Sequence, residues 1–87
     1  MTELRLQLEP DIFRIPDVCV FTEKPGKLVP DTPPLIAIEI VSKDDRHTEL
    51  LEKLEEYRRF GIANIWLVDP WLRRLSIWDE AGLRSVS

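Results

Sequence analysis

The chain has 87 residues, of which 44% are hydrophobic and 32% are charged, and its formal net charge is -4 at pH 7. This length and composition predict a single small domain over residues 1–87 with no membrane-spanning segment. The acidic balance argues against a surface that attracts nucleic acid everywhere, which leaves local basic pairs such as Arg73–Arg74 as candidate phosphate contacts. The lone Cys19 and the absence of a basic then apolar N-terminal pattern favour a cytoplasmic location.

The first part of the chain predicts two strands and an irregular connection. Leucines alternate with polar or charged residues, which predicts a first strand with one solvent-facing side: Leu4, Leu6 and Leu8. A second strand is predicted from about Phe13 to Thr22, and Pro16 should place part of it at an edge or a bulge because proline has no N–H to donate. Glu23–Pro34 is rich in proline and is predicted to be an irregular connection.

The rest of the chain predicts one helix between further strands. PPLIAIEIVS, Pro33–Ser42, is typical of a buried strand, and a helix should follow it as far as about Phe60, with Gly61 as its C-terminal cap. The candidate N-caps of that helix are Asp44, Asp45 and Thr48. Three short strands are predicted after the helix: Asn64–Asp69, Leu72–Trp78 and Leu83–Val86. This order predicts an α/β (α+β) fold in which one main helix packs on a mixed central sheet.

Three charged residues are predicted to face the interior of this fold. Glu39 lies inside the buried strand, where an ionised carboxylate is costly unless it is paired or bound to a cation. Lys53 falls inside the apolar arc of the predicted helix, and Asp17 lies on the preceding strand, so the three side chains converge if the two strands are neighbours. For Lys53 alone, the alternatives are an ammonium group that reaches water or a pair with Glu49.

Two carboxylates and a lysine suit the hydrolysis of phosphodiester bonds with a divalent cation. Carboxylate oxygens are hard ligands for Mg²⁺ or Mn²⁺, which can also accept phosphate oxygens. A lysine beside the cation can position the nucleophile or assist its deprotonation. We therefore predict Asp17 and Glu39 as metal ligands, and Asp17, Glu39 and Lys53 as the catalytic residues.

Three blocks of the sequence together resemble a known family: RIPDVCV (Arg14–Val20), PPLIAIEIVS (Pro33–Ser42) and EKLEEYRRFGIANIWLVDP (Glu52–Pro70). They look like the core of the bacterial "putative restriction endonuclease" family of the PD-(D/E)XK nuclease superfamily. The resemblance implies a restriction-endonuclease-like core and metal-dependent cleavage of nucleic acid, with DNA as the expected substrate. It also implies further segments at both ends, so the chain is expected to be a short form.

The resemblance assigns the same three residues. Asp17, after Pro16, matches the aspartate of the PD half-motif, and Glu39 matches the acidic residue of the second half. The superfamily lysine would stand at Val41, and Lys53 on the helix is expected to replace it.

Two other functions remain open from the sequence alone. The chain could be a nuclease-derived scaffold without activity, in which the same charged residues form a buried ion network. It could also be an association module, with a homodimer formed through tryptophans that would otherwise lie in the core or be partly exposed: Trp66, Trp71 and Trp78.

Overall fold

The strands and the helix follow one another in an order that builds two sheets. In the computed structural model, which describes residues 5–23, 26 and 30–86, the elements are β1 (Leu6–Glu9), β2 (Ile12–Arg14), β3 (Val18–Val20), β4 (Ile36–Ile40), α1 (His47–Phe60), β5 (Asn64–Asp69), β6 (Arg74–Asp79) and β7 (Gly82–Val86). The hairpin β1–β2 is one sheet, and the other strands form a five-stranded sheet in the order β3-β4-β5-β6-β7. The predicted mixed α+β fold is confirmed.

The pairing of β4 with β5 is parallel, and the other neighbouring strands of the five-stranded sheet are antiparallel. Parallel neighbours need a crossover connection, and α1 provides it. In this register Glu39 lies opposite Leu67. The carboxylate therefore lies near the carboxyl end of β4, on the sheet face that α1 covers.

The prediction of one strand from Phe13 to Thr22 is wrong. The chain leaves the hairpin sheet after Arg14 and enters the main sheet at Val18, with Pro16 buried between the two. Proline fixes φ and cannot donate a ladder hydrogen bond, so it separates two strands that pair with different partners. Leu4, in the first predicted strand, lies outside the described residues.

The N-terminus of α1 differs from the prediction, whereas its C-terminus confirms it. The residue at the N-cap is Arg46, without a side-chain capping hydrogen bond, and not one of the predicted candidates: Asp44, Asp45 and Thr48. The Asp45 carboxylate instead accepts a hydrogen bond from the Ser42 N–H at 2.9 Å and so closes the turn before the helix. Gly61 ends the helix with φ 104°, a left-handed conformation that glycine adopts at little cost.

The core lies between α1 and one face of the five-stranded sheet. The helix contributes Leu50, Leu54 and Tyr57, and these pack with residues of the strands and of the loop after the helix: Leu6, Ala37, Ile62, Ile65 and Leu67. Trp78 of β6 donates a hydrogen bond from its indole N–H to Glu55 of α1 at 3.2 Å. The helix is thus attached to the sheet in an orientation that places Lys53 over β4. None of the described residues belongs to a helix long and apolar enough to cross a membrane.

Candidate metal and nuclease site

Glu39 is a buried carboxylate on the face of the sheet that packs against the helix. Residues alternate between faces along a strand, so Glu39 shares the helix-facing side of β4 with the fully buried Ala37. The side chain of Glu39 is within the core and the whole residue is only 3% exposed. Such a carboxylate needs partners, since burial without them would cost several kcal/mol.

The structure supplies these partners from the other two predicted residues. The Lys53 ammonium donates a hydrogen bond to Glu39 Oε1 at 2.8 Å, and the backbone N–H of Asp17 donates one to Glu39 Oε2 at 2.9 Å. In return, Asp17 Oδ2 accepts a hydrogen bond from the Ile40 N–H at 2.7 Å. All three predicted site residues therefore meet in one cluster, with Lys53 turned toward the sheet.

The two hydrogen bonds between Asp17 and β4 extend the pairing of β3. That pairing places Val18 opposite Ile38 in an antiparallel register, so Asp17 stands next to Glu39 and Ile40. A carboxylate oxygen of Asp17 takes the place of a backbone carbonyl at the end of the ladder. The carboxylate of Asp17 is thereby held at the end of β4, and the residue stays exposed to solvent.

Burial dominates the electrostatics of Glu39. Desolvation raises the pKa of this carboxyl, and the nearby charge of Asp17 raises it further, whereas the hydrogen bonds from Lys53 and from the Asp17 N–H act in the opposite direction. The ionised form of Glu39 is therefore disfavoured by its burial, even with Lys53 in place. A cation bound near the two carboxylates would favour the ionised form.

Tyr57 is a member of the site that the sequence did not indicate. It follows Lys53 by four residues on α1 and is fully buried, and its hydroxyl is a buried group that has no hydrogen-bond partner within the described part of the chain. Burial raises its pKa, and the negative charge of Glu39 raises it further. Tyr57 continues the helical spacing of the buried residues Leu50 and Leu54, but periodicity carries no information about where its hydroxyl points.

Tyr57→Phe is expected to leave the free energy of unfolding unchanged or to raise it by about 1 kcal/mol. The hydroxyl loses its hydration on folding and gains no partner, and a desolvated group of this kind costs about 1–3 kcal/mol. Urea denaturation of the two proteins measures the difference. Tyr57→Leu is the control for packing and should destabilise, since it removes ring volume from the core. A loss of more than about 1 kcal/mol in the Phe variant would mean that the hydroxyl is hydrogen-bonded in solution.

The two carboxylates fit the binding of a small divalent cation. Among the described residues no group of three or more His, Cys, Asp or Glu side chains could hold a metal ion, so Asp17 and Glu39 are a pair without a third such ligand. Mg²⁺ is commonly bound by one or two carboxylates together with water and phosphate oxygens. Each carboxylate oxygen has two lone pairs, so the hydrogen bonds to Lys53, Asp17 and Ile40 leave acceptor capacity for a cation.

The mixed sheet with its crossover helix, and the cluster of Asp17, Glu39 and Lys53 beside the carboxyl end of β4, match the restriction-endonuclease-like core that the sequence predicted. The Uma2 family, whose description reads "Putative restriction endonuclease", matches residues 1–85, and the chain belongs to that family. The resemblance predicted from the sequence is therefore confirmed. No curated protein matches the chain.

A solved structure shares the fold. It is described as a "putative nuclease belonging to DUF820" from Anabaena variabilis ATCC 29413, and it superimposes with a TM-score of 0.79 at 21% sequence identity. The match covers 98% of this chain and 52% of that one, so the chain spans about half the length of this relative. At this identity the likeness establishes the fold.

Proposed function

We propose that the protein is a metal-dependent endonuclease that hydrolyses phosphodiester bonds of DNA. The observation that carries the proposal is the buried carboxylate of Glu39, in contact with Lys53 and linked to Asp17 by reciprocal hydrogen bonds. Membership of a family described as "Putative restriction endonuclease" supports the same chemistry. We extend the proposal to a single nuclease domain over residues 1–87.

Asp17 and Glu39 would hold Mg²⁺ or Mn²⁺. A cation bound there would supply Lewis-acid activation of water and would offset negative charge on the scissile phosphate. Asp17 is exposed and Glu39 is buried, so the substrate would approach from the side of Asp17.

Lys53 would position the reacting groups. Its ammonium has three N–H donors, and Glu39 accepts from one of them, so two remain for a phosphate oxygen or the attacking water. The lysine side chain is 30% exposed and can be reached from solvent. It lines a cleft of about 370 Å³ whose other charged residues are two arginines, Arg14 and Arg46, and four acidic residues, Asp44, Asp45, Glu49 and Glu52.

The proposal is tested by cleavage of supercoiled plasmid. Wild-type protein is incubated with the plasmid in the presence of Mg²⁺, Mn²⁺ or EDTA, and the nicked and linear products are separated on an agarose gel. We expect products with either cation and none with EDTA. Cleavage that is equally fast in EDTA would contradict the metal-dependent reaction, and no cleavage under any condition would favour the alternative below.

The second candidate function is a nuclease-derived scaffold without activity. It is favoured by one observation: both oxygens of Glu39 already have partners within the chain, Lys53 and the Asp17 N–H. A carboxylate with such partners can serve as a structural ion pair alone. The response of the melting temperature to Mn²⁺, described in the Discussion, separates the two candidates.

Dimerisation and a cytoplasmic location stay predictions. Of the three tryptophans considered for an interface, Trp66 and Trp78 are partly buried, and Trp71 is 61% exposed. Sedimentation at micromolar concentration decides the oligomeric state, and a strict monomer would remove the association module.

A further inference from the structure

The loop between β5 and β6 carries an exposed apolar tip. Trp71 is 61% exposed and Leu72 is 62% exposed, the two highest values among the described large hydrophobic residues that are exposed. A tryptophan normally loses most of its contact with water on folding because its ring is large and mostly apolar. An indole kept in solvent is therefore available for binding.

The conformation of this loop is held by hydrogen bonds. The Asp69 carboxylate accepts from the N–H groups of Trp71 at 3.0 Å and Leu72 at 3.1 Å, and Asp69 pairs with Arg74 where β6 begins. Arg73 has φ 51°, a left-handed conformation that is uncommon for residues other than glycine. The backbone of the tip is thus preorganised.

The indole lies beside positive charge. The Lys43 ammonium is 4.8 Å from the centroid of a Trp71 ring, a cation–π contact, and Arg73 belongs to the same loop. With a net charge of -4 the chain as a whole repels polyanions, so a cation held against an exposed ring is a local exception.

This tip lies at the same end of the sheet as the candidate site. Strands β4 and β5 are parallel, and the Val41 N–H donates to the Val68 carbonyl at 2.8 Å, just beyond the Ile40 amide that binds Asp17. Lys43 follows β4 and Trp71 follows β5, so both residues continue from the carboxyl ends at which the two carboxylates lie.

We propose that Trp71 and Lys43 form a binding surface for single-stranded nucleic acid, in which an unpaired base stacks on the indole and Lys43 contacts a neighbouring phosphate. Stacking on an aromatic side chain requires a base that is free of its own neighbours, which a single strand offers and an intact duplex does not. The proposal rests on the proposed function, because the strand bound at the tip would be the one that reaches Asp17 and Glu39.

The surface is tested by binding in EDTA, where no cleavage is expected. Fluorescence anisotropy is measured with a labelled single-stranded oligonucleotide and with the matched duplex, at low and moderate salt. We expect tighter binding to the single strand, and a dissociation constant about tenfold larger for Trp71→Ala. Trp71→Phe should retain part of the affinity, and Lys43→Gln should weaken binding and reduce its dependence on salt.

Two variants serve as matched controls. Leu72→Ala removes an equally exposed apolar side chain from the same loop, and Arg84→Gln removes an exposed cation from β7; both should bind as wild type does. The melting temperature of each variant should stay that of wild type, since the substituted side chains contribute little to the core.

Three results would overturn the binding surface. These are no binding of the single strand by wild type, tighter binding of the duplex, or equal losses in the Trp71 and Leu72 variants. A dimer that Trp71→Ala dissociates would show that the tip contacts a second copy instead. If one of these results is found and wild type still cleaves DNA with metal, only this inference is overturned. If wild type binds the single strand as expected but does not cleave DNA, only the proposed function is overturned.

Discussion

Lys53→Ala is expected to reduce the rate of plasmid cleavage by at least about 100-fold, the lower end of what a positioned acid–base group contributes. The ammonium of Lys53 is 2.8 Å from Glu39 Oε1, so its removal takes away the cation beside the carboxylate pair and the donors that would hold the phosphate or the water. The measurement is the initial rate of plasmid nicking with Mn²⁺ at equal protein concentrations. Asp17→Ala should lose cleavage to a similar extent because it removes a proposed ligand.

Arg58→Ala is the matched control for this prediction. Arg58 is a basic residue of the same helix whose guanidinium pairs with Glu55 on the exposed side, away from the site. Its replacement removes one positive charge and should leave cleavage close to the wild-type rate. Circular dichroism of each variant establishes that it is folded, which matters for Asp17→Ala since the Ile40 N–H loses its acceptor. Cleavage that survives both Lys53→Ala and Asp17→Ala would refute the assigned roles.

Glu39→Gln is expected to leave the metal-free protein equally stable or more stable, and to abolish its stabilisation by Mn²⁺. Wild type should gain about 2.7 kcal/mol at a Mn²⁺ concentration 100-fold above the dissociation constant. The amide keeps an acceptor for the Asp17 N–H and removes the desolvated charge, and Lys53 can reach water because its side chain is 30% exposed. Thermal melts with and without Mn²⁺ measure both effects.

The difference in stability between wild type and Glu39→Gln should depend on pH because the pKa of Glu39 is raised. A carboxyl whose pKa is higher in the folded than in the unfolded chain binds more protons when folded, so it contributes stability at low pH that is lost as the pH rises through the two pKa values. Relative to Glu39→Gln, wild type should therefore become more stable as the pH falls from neutrality toward the acidic range.

Glu52→Gln is the control for the loss of one negative charge. Glu52 is an exposed residue next to Lys53 on α1, and its variant should keep the full response to Mn²⁺. If Glu39→Gln instead destabilises the protein by about 3 kcal/mol or more, the carboxylate is a structural partner of Lys53. That result, together with a melting temperature of wild type that does not respond to Mn²⁺, would favour the inactive scaffold.

The parts of the fold and of the candidate site that the sequence predicted depend on local signals. The short apolar run Asn64–Asp69 identified β5, helical periodicity identified the end of α1, and Gly61 marked the cap. A carboxylate inside an apolar strand and a lysine inside an apolar helical arc are local signals as well. They were sufficient to bring together Glu39 and Lys53, since the element that follows a buried strand must pack back on it.

The parts that the sequence did not predict depend on contacts between distant residues. Pro16 indicated an irregularity, but the change from one sheet to the other depends on which strands β2 and β3 pair with. The N-cap was misassigned because Asp45 uses its carboxylate in the preceding turn. The exposure of Trp71 is determined by the conformation of its loop, and a tryptophan in a sequence suits a core equally well.

The position of Asp17 in the candidate site depends on β3, the shorter of the two edge strands of the main sheet. Strand β3 has three residues, and within the described residues it pairs on one side only, with β4; Asp17 directly precedes it. Short edge strands detach at a lower free energy than a whole domain unfolds. Transient detachment of this strand would separate Asp17 from Glu39 while the helix and the central strands stay in place. In the proposed nuclease, cleavage activity would then be lost on warming before the main calorimetric transition, and a ligand that holds this edge in place would increase the activity.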